Sequence, residues 1–403
     1  MVTVRSQRGR RSPSAGVAEA GAAGAFAIVM AGTTLPTPLY GLYRQEIGFS
    51  ELMVTVIFAV YAVGVMGVLA FGGGLSDVVG RRRVALVGVA FGVASAVCFL
   101  AAHGLPLLFA GRLCSGFSAG LFTGSATAYI VELAPTEGRN RAALVATAAN
   151  MGGLGIGPVL SGTLAQYGPA PLRLPYAVHL VLLAVAAGTL RVLPETVAGP
   201  RPWSAARVRL PALPASVRAV FVPSALAGFV GFALLGVFTS VTPAFLAQYL
   251  GVTNLAVVGL VVLVVFSAST AGQLLAGRVG AHRALPVGCG LLVAGLALLA
   301  GALTWRSLAL VVLSGVVGGI GQGFALRGAV TRLAAMAPAA ERGQVISAFF
   351  LAAYAGISLP VVGIGLMAAT VGLQDAGRYF AAAMAVLAAA AGGYLLRHGR
   401  TDG

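Results

Sequence analysis

The residues best equipped for chemistry in this chain sit in one short stretch, Gly72–Val84, reading G-G-G-L-S-D-V-V-G-R-R-R-V. One carboxylate, Asp77, precedes Arg81, Arg82 and Arg83 between two long apolar runs that carry almost no charge. At the centre of a bilayer each such charge costs at least ~2.5 kcal/mol, so the cluster belongs at a membrane surface, in a turn between two spanning helices. Glycines permit the tight turn and a close helix approach. Asp77 can hold Arg81 and can also face the positive N-terminal end of a neighbouring helix. Other chemistry is thinly provided. Cys98, Cys114 and Cys289 fall in apolar runs at unrelated spacings, which fits small core residues better than a disulfide or metal cluster. Of the histidines only His179 lies within a predicted span, where a buried, hydrogen-bonded side chain is the simpler reading and a proton site the alternative. With no His/Asp/Glu metal cluster and no nucleophile–base pair, an enzyme is not indicated, and no metal or cofactor is called for.

The elements that position these residues follow from composition. Of 403 residues 59% are hydrophobic and 9% charged, and mean hydropathy is +0.96, far too apolar for a soluble domain. At about 20 residues per span plus a turn, the length divides into roughly a dozen helices. A net charge of +16 raises nucleic-acid binding, but the 26 basic residues are all arginine and are scattered among apolar runs. No aromatic-interleaved basic face exists, so the charge orients the chain in a bilayer.

Spans are predicted at 20–43, 51–72, 84–103, 106–131, 142–166, 175–193, 219–242, 255–276, 285–304, 308–331, 344–368 and 377–396. The first is preceded by Arg5, Arg8, Arg10 and Arg11 like a signal peptide, yet it runs long enough to be a retained helix, with a polar, Pro-broken end at Thr33–Tyr40. The Pro- and Arg-rich segment 194–218 reads as a cytoplasmic linker. It separates an N-terminal bundle, 20–193, from a C-terminal bundle, 219–396, with cytoplasmic tails at 1–19 and 397–403. This topology places 21 of the 26 arginines on one side and four on the other, with Arg112 inside a span, so both termini are expected in the cytoplasm. The halves also repeat. Leu275–Arg283 echoes Leu75–Arg83, Thr242-Pro243-Ala244-Phe245 echoes Thr37-Pro38-Leu39-Tyr40, and Pro338 with Arg342 echoes Pro135 with Arg139. Three correspondences in order point to a duplication, as in transporters whose substrate site lies between repeats.

Gly73, Leu75, Asp77, Gly80, Arg81 and Arg82 follow the pattern G-x-L-x-D-x-x-G-R-R, and here the chain resembles the major facilitator superfamily of membrane transporters. The resemblance implies an all-α integral membrane fold of twelve transmembrane helices in two pseudo-symmetric six-helix bundles. It also implies that Asp77 faces the eleventh span near Arg342–Gln344, with Glu132 completing a charge network. Such a latch favours the state closed to the cytoplasm and breaks as the halves rock. Val78 stands where the family often has another arginine.

Arg112-Leu113-Cys114-Ser115-Gly116 resembles the family's fourth-helix motif R-x-x-x-G, in which the arginine faces the central cavity and can modulate a proton step. Arg112, Ser115, Ala119 and Thr123 share a helical face in support of this; snorkelling to the outer surface is the alternative. Gly116, Gly120 and Gly124 form a small-residue stripe suited to helix packing. Gly153, Gly157, Pro158 and Gly162 resemble the G-x-x-x-G-P-x-x-G-G motif of antiporters, with Ser161 in place of one glycine. Pro158 bends the helix and the glycines allow sliding against the other half. Pro194-Glu195-Thr196 is a helix ending common among exporters of this group.

Proton coupling is the thinnest part of the pattern, because all ten acids lie in loops, tails or span ends; Glu19 and Glu132 are nearest to a span interior. Polar candidates for the substrate cavity are Thr34, Tyr61, Asn150, Thr239, Ser269, Gln273, Gln322 and Tyr354. The expectation is a multi-pass transporter of a bacterial cytoplasmic membrane, working as a monomer in the lipid bilayer and binding no nucleic acid. It would export a small apolar or amphipathic molecule in exchange for protons, with the proton gradient as energy source. A metabolite importer or facilitator of the same fold is the alternative, and a membrane scaffold a more distant one.

Overall fold

In lipid, an apolar run of this length can satisfy its own backbone N–H and C=O groups only by coiling into a helix. The computed structural model is helical accordingly, with no strand among its described residues, 14–72, 74–205, 211 and 213–398. Gly73 of the turn motif lies outside them. The first half comprises α1 (Ala15–Thr34), α2 (Tyr40–Ile47), α3 (Glu51–Phe71), α4 (Leu75–Val79), α5 (Arg81–Leu100), α6 (Leu105–Leu133), α7 (Arg139–Tyr167) and α8 (Leu174–Val192). The second comprises α9 (Arg218–Ser240), α10 (Thr242–Leu250), α11 (Leu255–Val279), α12 (Ala281–Trp305), α13 (Leu308–Met336), α14 (Arg342–Val371) and α15 (Leu373–His398). With α1 and α2 taken as one broken stretch, twelve helical segments among the described residues are long and apolar enough to cross a membrane.

Several helices begin earlier than the apolar runs do. Arg81, Arg139 and Arg342 occupy first helical positions, whereas hydropathy places them in turns. A helix has no reason to stop at the edge of the hydrocarbon, and an arginine there can extend its head toward the polar layer.

The duplication is visible in the backbone. α5 follows Gly80 and α12 follows Gly280, at φ 113° and 89°, a region open to glycine and strained for other residues. The first span breaks at Thr34, passes through a single 3-10 turn, Thr37–Leu39, and resumes as α2. The seventh breaks likewise at Val241, with Pro243 in the first turn of α10. In both places a Thr-Pro pair ends one helix and starts the next, since proline lacks the N–H that continuity requires.

Within the first half, α5 packs on α6 and α8, α3 on α6, and α1 on α6, α7 and α8. Within the second, α13 packs on α9, α11 and α12, and α15 on α9, α12 and α14. Two seams, α7 against α11 and α3 against α14, join the bundles. Any site shared by the halves therefore lies between these seams.

Candidate functional site

At the turn carrying Asp77, the structure builds a network larger than the sequence motif. Asp77 forms an ion pair with Arg81, whose Nη2 lies 3.0 Å from Glu132 Oε1 at the end of α6. Arg81 Nη1 also donates to Ser76 Oγ at 2.6 Å. Glu195, just beyond α8, accepts from the backbone N–H of Arg81 at 2.8 Å and so caps the start of α5. Arg82 Nη1 donates to the Leu193 carbonyl at 3.0 Å, and Thr196 Oγ1 donates to Glu132. The Pro194-Glu195-Thr196 segment is thus part of the network. Its place after a span carried no such signal, because the contact spans 114 residues in sequence. Arg201 N donates to the Val78 carbonyl at 2.9 Å, tying the linker to the same turn.

The cross-bundle half of the expected latch is not made. Asp77 is 59% exposed. Between it and the start of α14 lies a cavity of about 410 Å³, lined by Asp77, Arg81, Gly124, Ser125, Gln344 and Ser347. At the opposite end the halves are tied. Glu51 on α3 accepts from Arg44 Nη1 at 2.6 Å and from the Gln248 amide of α10. Gln166 Oε1 accepts from Leu255 N at 2.9 Å, and Asn254 Nδ2 donates to Tyr167 Oη at 3.0 Å. A second chamber of about 250 Å³ lies at this end, with Arg44, Glu51 and Gln248 among its lining residues.

Arg112 is buried, at 1% exposure, about two turns into α6. It does not snorkel to the surface, and it does not border either of these chambers. Its Nη1 donates to the Thr33 carbonyl at 2.6 Å, while the guanidinium carbon stands 5.1 Å from the ring centre of Tyr61, 5.2 Å from Phe58 and 5.9 Å from Tyr40. The Nε has no hydrogen-bond partner. A buried charge costs several kcal/mol; cation–π contacts of about 0.5–2 kcal/mol each and one charged hydrogen bond offset part of this.

The polar cavity candidates divide by what they touch. Tyr61 meets Tyr354 of the other bundle edge to face at 6.3 Å, and Tyr354 meets Phe232 at 5.3 Å. Ser269, Gln273 and Gln322 form a hydrogen-bonded group inside the second bundle, with Met151 Sδ of the first bundle 3.8 Å from Ser269 Oγ. Thr34 donates to the Leu154 carbonyl at 2.7 Å, joining α1 to α7, and Thr239 turns back onto the Leu235 carbonyl of its own helix at 2.8 Å. Asn150 Oδ1 and Gln322 Nε2 are buried without partners. Glu19 is paired with Arg141 at 2.7 Å near the start of α1. His179 is buried but its Nδ1 has no hydrogen-bond partner, unlike the bonded core histidine that the sequence favours.

The helix-five motif serves two partners. Added Cβ atoms at Gly153 and Gly157 would collide with the α1 backbone, within the same bundle. Those at Gly155 and Gly162 would meet α11, Gly155 at 2.8 Å from Leu263 Cδ1 and Gly162 at the Leu255 carbonyl. Pro158 presents its carbonyl to Gly259 of α11. Of the motif residues, Gly162 and Pro158 pack against the other half, as the expected sliding contact requires. Gly153 and Gly157 instead clamp α1, because successive members four residues apart share one helical face. The α6 stripe divides too: Gly116 and Gly120 pack on α3, while Gly124 borders the large cavity.

Two pseudo-symmetric six-helix bundles, seamed along two helix pairs and parted at one end, define a membrane transporter and not an enzyme. Residues 22–359 match the sequence profile of the Major Facilitator Superfamily, and the chain belongs to that family. Over 139 residues it is 24% identical to the quinolone resistance protein NorA of Staphylococcus aureus (strain Mu50 / ATCC 700699), a stretch covering 34% of this chain and 36% of NorA. Over 85 residues it is 40% identical to the multidrug resistance protein MdtL of Klebsiella pneumoniae (strain 342), covering 20% of this chain and 21% of MdtL. The matches thus span about a third and a fifth of these curated relatives. A D-xylose–proton symporter shares the fold at a TM-score of 0.74 and 17% identity, with 94% of this chain and 97% of that chain covered.

Proposed function

We propose that the protein is a secondary transporter that exports a small amphipathic compound from a bacterial cell by alternating access, energised by the proton-motive force. The observation that carries the reading is the cavity at the Asp77 end, set against the polar ties at the Glu51 end. Arginine bias supports placing the Asp77 end and both termini in the cytoplasm, so that the structure is open to a compound arriving from inside. Similarity to NorA and MdtL, both named for resistance, supports export. The resemblance that the helix-five motif bears to antiporters supports proton exchange as the form of coupling, and the complete pair of bundles supports a monomer as the working unit.

Expression in an efflux-deficient bacterial host, with a panel of toxic amphipathic compounds, tests direction. Resistance that disappears when an uncoupler collapses the proton-motive force is the expected result. No resistance to any compound overturns the reading. A facilitator of the same fold is the second reading, and one observation favours it: every Asp and Glu among the described residues stands in a turn or near a helix end. Uphill export in the host separates the two.

A further inference from the structure

Two features fit poorly with a neutral cargo exchanged for protons. The first is the sign of the charge within the spans. Arg112 is buried in α6, about two turns from its start. No carboxylate is paired with it among the described residues. The second is the position of the acids at turns and helix ends, which leaves no carboxylate in mid-membrane among the described residues to carry a proton. We infer that the exported compound is a small organic monoanion that takes Arg112 as its charge partner, and that the electrical component of the proton-motive force drives it outward.

The geometry around Arg112 bears this out at three points. Its guanidinium keeps Nε without a hydrogen-bond partner, and Tyr40 Oη and Ser115 Oγ are likewise buried and unpartnered. Donors without acceptors suit a ligand that supplies oxygens, and a guanidinium prefers a carboxylate, sulfonate or phosphate. Tyr61 covers the guanidinium on one side and meets Tyr354 of α14 on the other. Since α3 and α14 belong to different bundles, the rocking that moves Tyr354 also frees Tyr61 to uncover Arg112. The aromatic rings of Phe58, Tyr61 and Tyr40 give the apolar part of an amphipathic anion a surface to lie on.

Energetics join the two features. Moving one negative charge outward is favoured by an interior-negative potential, and about 100 mV accumulates a monoanion roughly fifty-fold, which is ~2.3 kcal/mol per charge at ~1.36 kcal/mol per decade. Such a cargo needs no proton carrier inside the bilayer. The inference rests on the exporter reading for direction alone and replaces proton exchange as its form of coupling; the choice of charge stands independently.

The test uses the full chain in proteoliposomes with two permanently charged fluorescent probes, anilinonaphthalene sulfonate as the anion and ethidium as the cation. Potentials are set with potassium and valinomycin, each probe being given the sign that draws it inward, and pH gradients are set separately at zero potential. Wild-type vesicles are expected to take up the sulfonate about ten-fold or more faster than ethidium, with no accumulation on a pH gradient alone. Arg112→Gln is expected to lower sulfonate uptake about ten-fold or more, and Arg112→Lys to restore part of it. Equal or faster uptake of ethidium, uptake of neither probe, or an unchanged ratio in Arg112→Gln overturns the inference. The wild-type comparison needs no variant to fold. Sulfonate accumulation driven by a pH gradient alone overturns it as well, while leaving a proton-exchanging exporter standing. Failure of the exporter reading shows elsewhere, as the absence of resistance in cells.

Discussion

Gly80 combines two demands in one position. Its φ of 113° lies where a Cβ is strained, and a Cβ there would also stand 2.8 Å from the Glu195 carboxyl carbon. Gly48, at φ 80°, has the same sign of φ but nothing within 4 Å of an added Cβ. Gly80→Ala is therefore expected to cost about 1–3 kcal/mol from backbone strain plus the displacement of the helix-capping carboxylate, and Gly48→Ala only about 1 kcal/mol. Unfolding midpoints of the two purified variants in one detergent check the difference; equal midpoints would show that the Glu195 contact contributes nothing. Asp77 makes the opposite case. It is 59% exposed and paired within its own bundle, so Asp77→Asn should change stability by less than about 1 kcal/mol. If the carboxylate also meets the start of α14 in the alternate state, the same substitution lowers export in the resistance assay while leaving insertion normal. Asp77 and Arg81 were legible as a pair because a charged turn in so apolar a chain has few places to go, and Glu132 was legible as their partner only through the family resemblance. Glu195 was not, since a carboxylate after a helix looks the same whether it caps a neighbour or faces water.

At the scale of elements, the seam between α7 and α11 is built on backbone contact. Gly162 meets the Leu255 carbonyl and Gly259 meets the Pro158 carbonyl, so neither helix can gain a side chain there without parting from the other. Gly152, on the same helix, has no atom within 4 Å of an added Cβ. Gly162→Val is expected to destabilise by about 1–3 kcal/mol and to slow transport, and Gly152→Val to do neither beyond its helix propensity. Thermal unfolding and the resistance assay on both variants check this, and equal behaviour would remove the close-contact account of the seam. Here the sequence was informative about which helix is glycine-rich and uninformative about which face each glycine takes. A run such as Gly153, Gly155 and Gly157 places successive members on different sides, and only the neighbours decide which side is own bundle and which is partner. Helix starts at Arg81, Arg139 and Arg342 escaped hydropathy for a related reason. Charge marks the limit of the hydrocarbon, whereas hydrogen bonding sets the limit of the helix.

The molecule as a whole is two nearly equivalent bodies that differ in how their ends meet. The left-handed glycines Gly80 and Gly280 and the paired Thr-Pro breaks were legible as repeats, since duplicated turns keep residues that the backbone requires. Which end is open was not legible, because a sequence compatible with both states of a rocking pair carries no mark of either. The tie at the Glu51 end is small. Glu51 is about one-third exposed, and its bond to Gln248 is one of few polar links across the bundles there. Neutralising it in Glu51→Gln should weaken the Asp77-open state by no more than about 1 kcal/mol, which shifts the two-state ratio by up to roughly five-fold. Asp77→Asn should shift the same ratio the other way, on the proposal that its carboxylate meets the start of α14 when that end closes. Cysteines at Arg83 and Ala340, on opposite bundles at the parted end, can carry spin labels for pulsed distance measurement. Glu51→Gln is expected to increase the short-distance population, Asp77→Asn to reduce it, and the double variant to return near the starting distribution, since the two sites lie at opposite ends and act on one equilibrium. Distances that respond to neither substitution would mean that the two ends are not coupled through a rigid rocking motion.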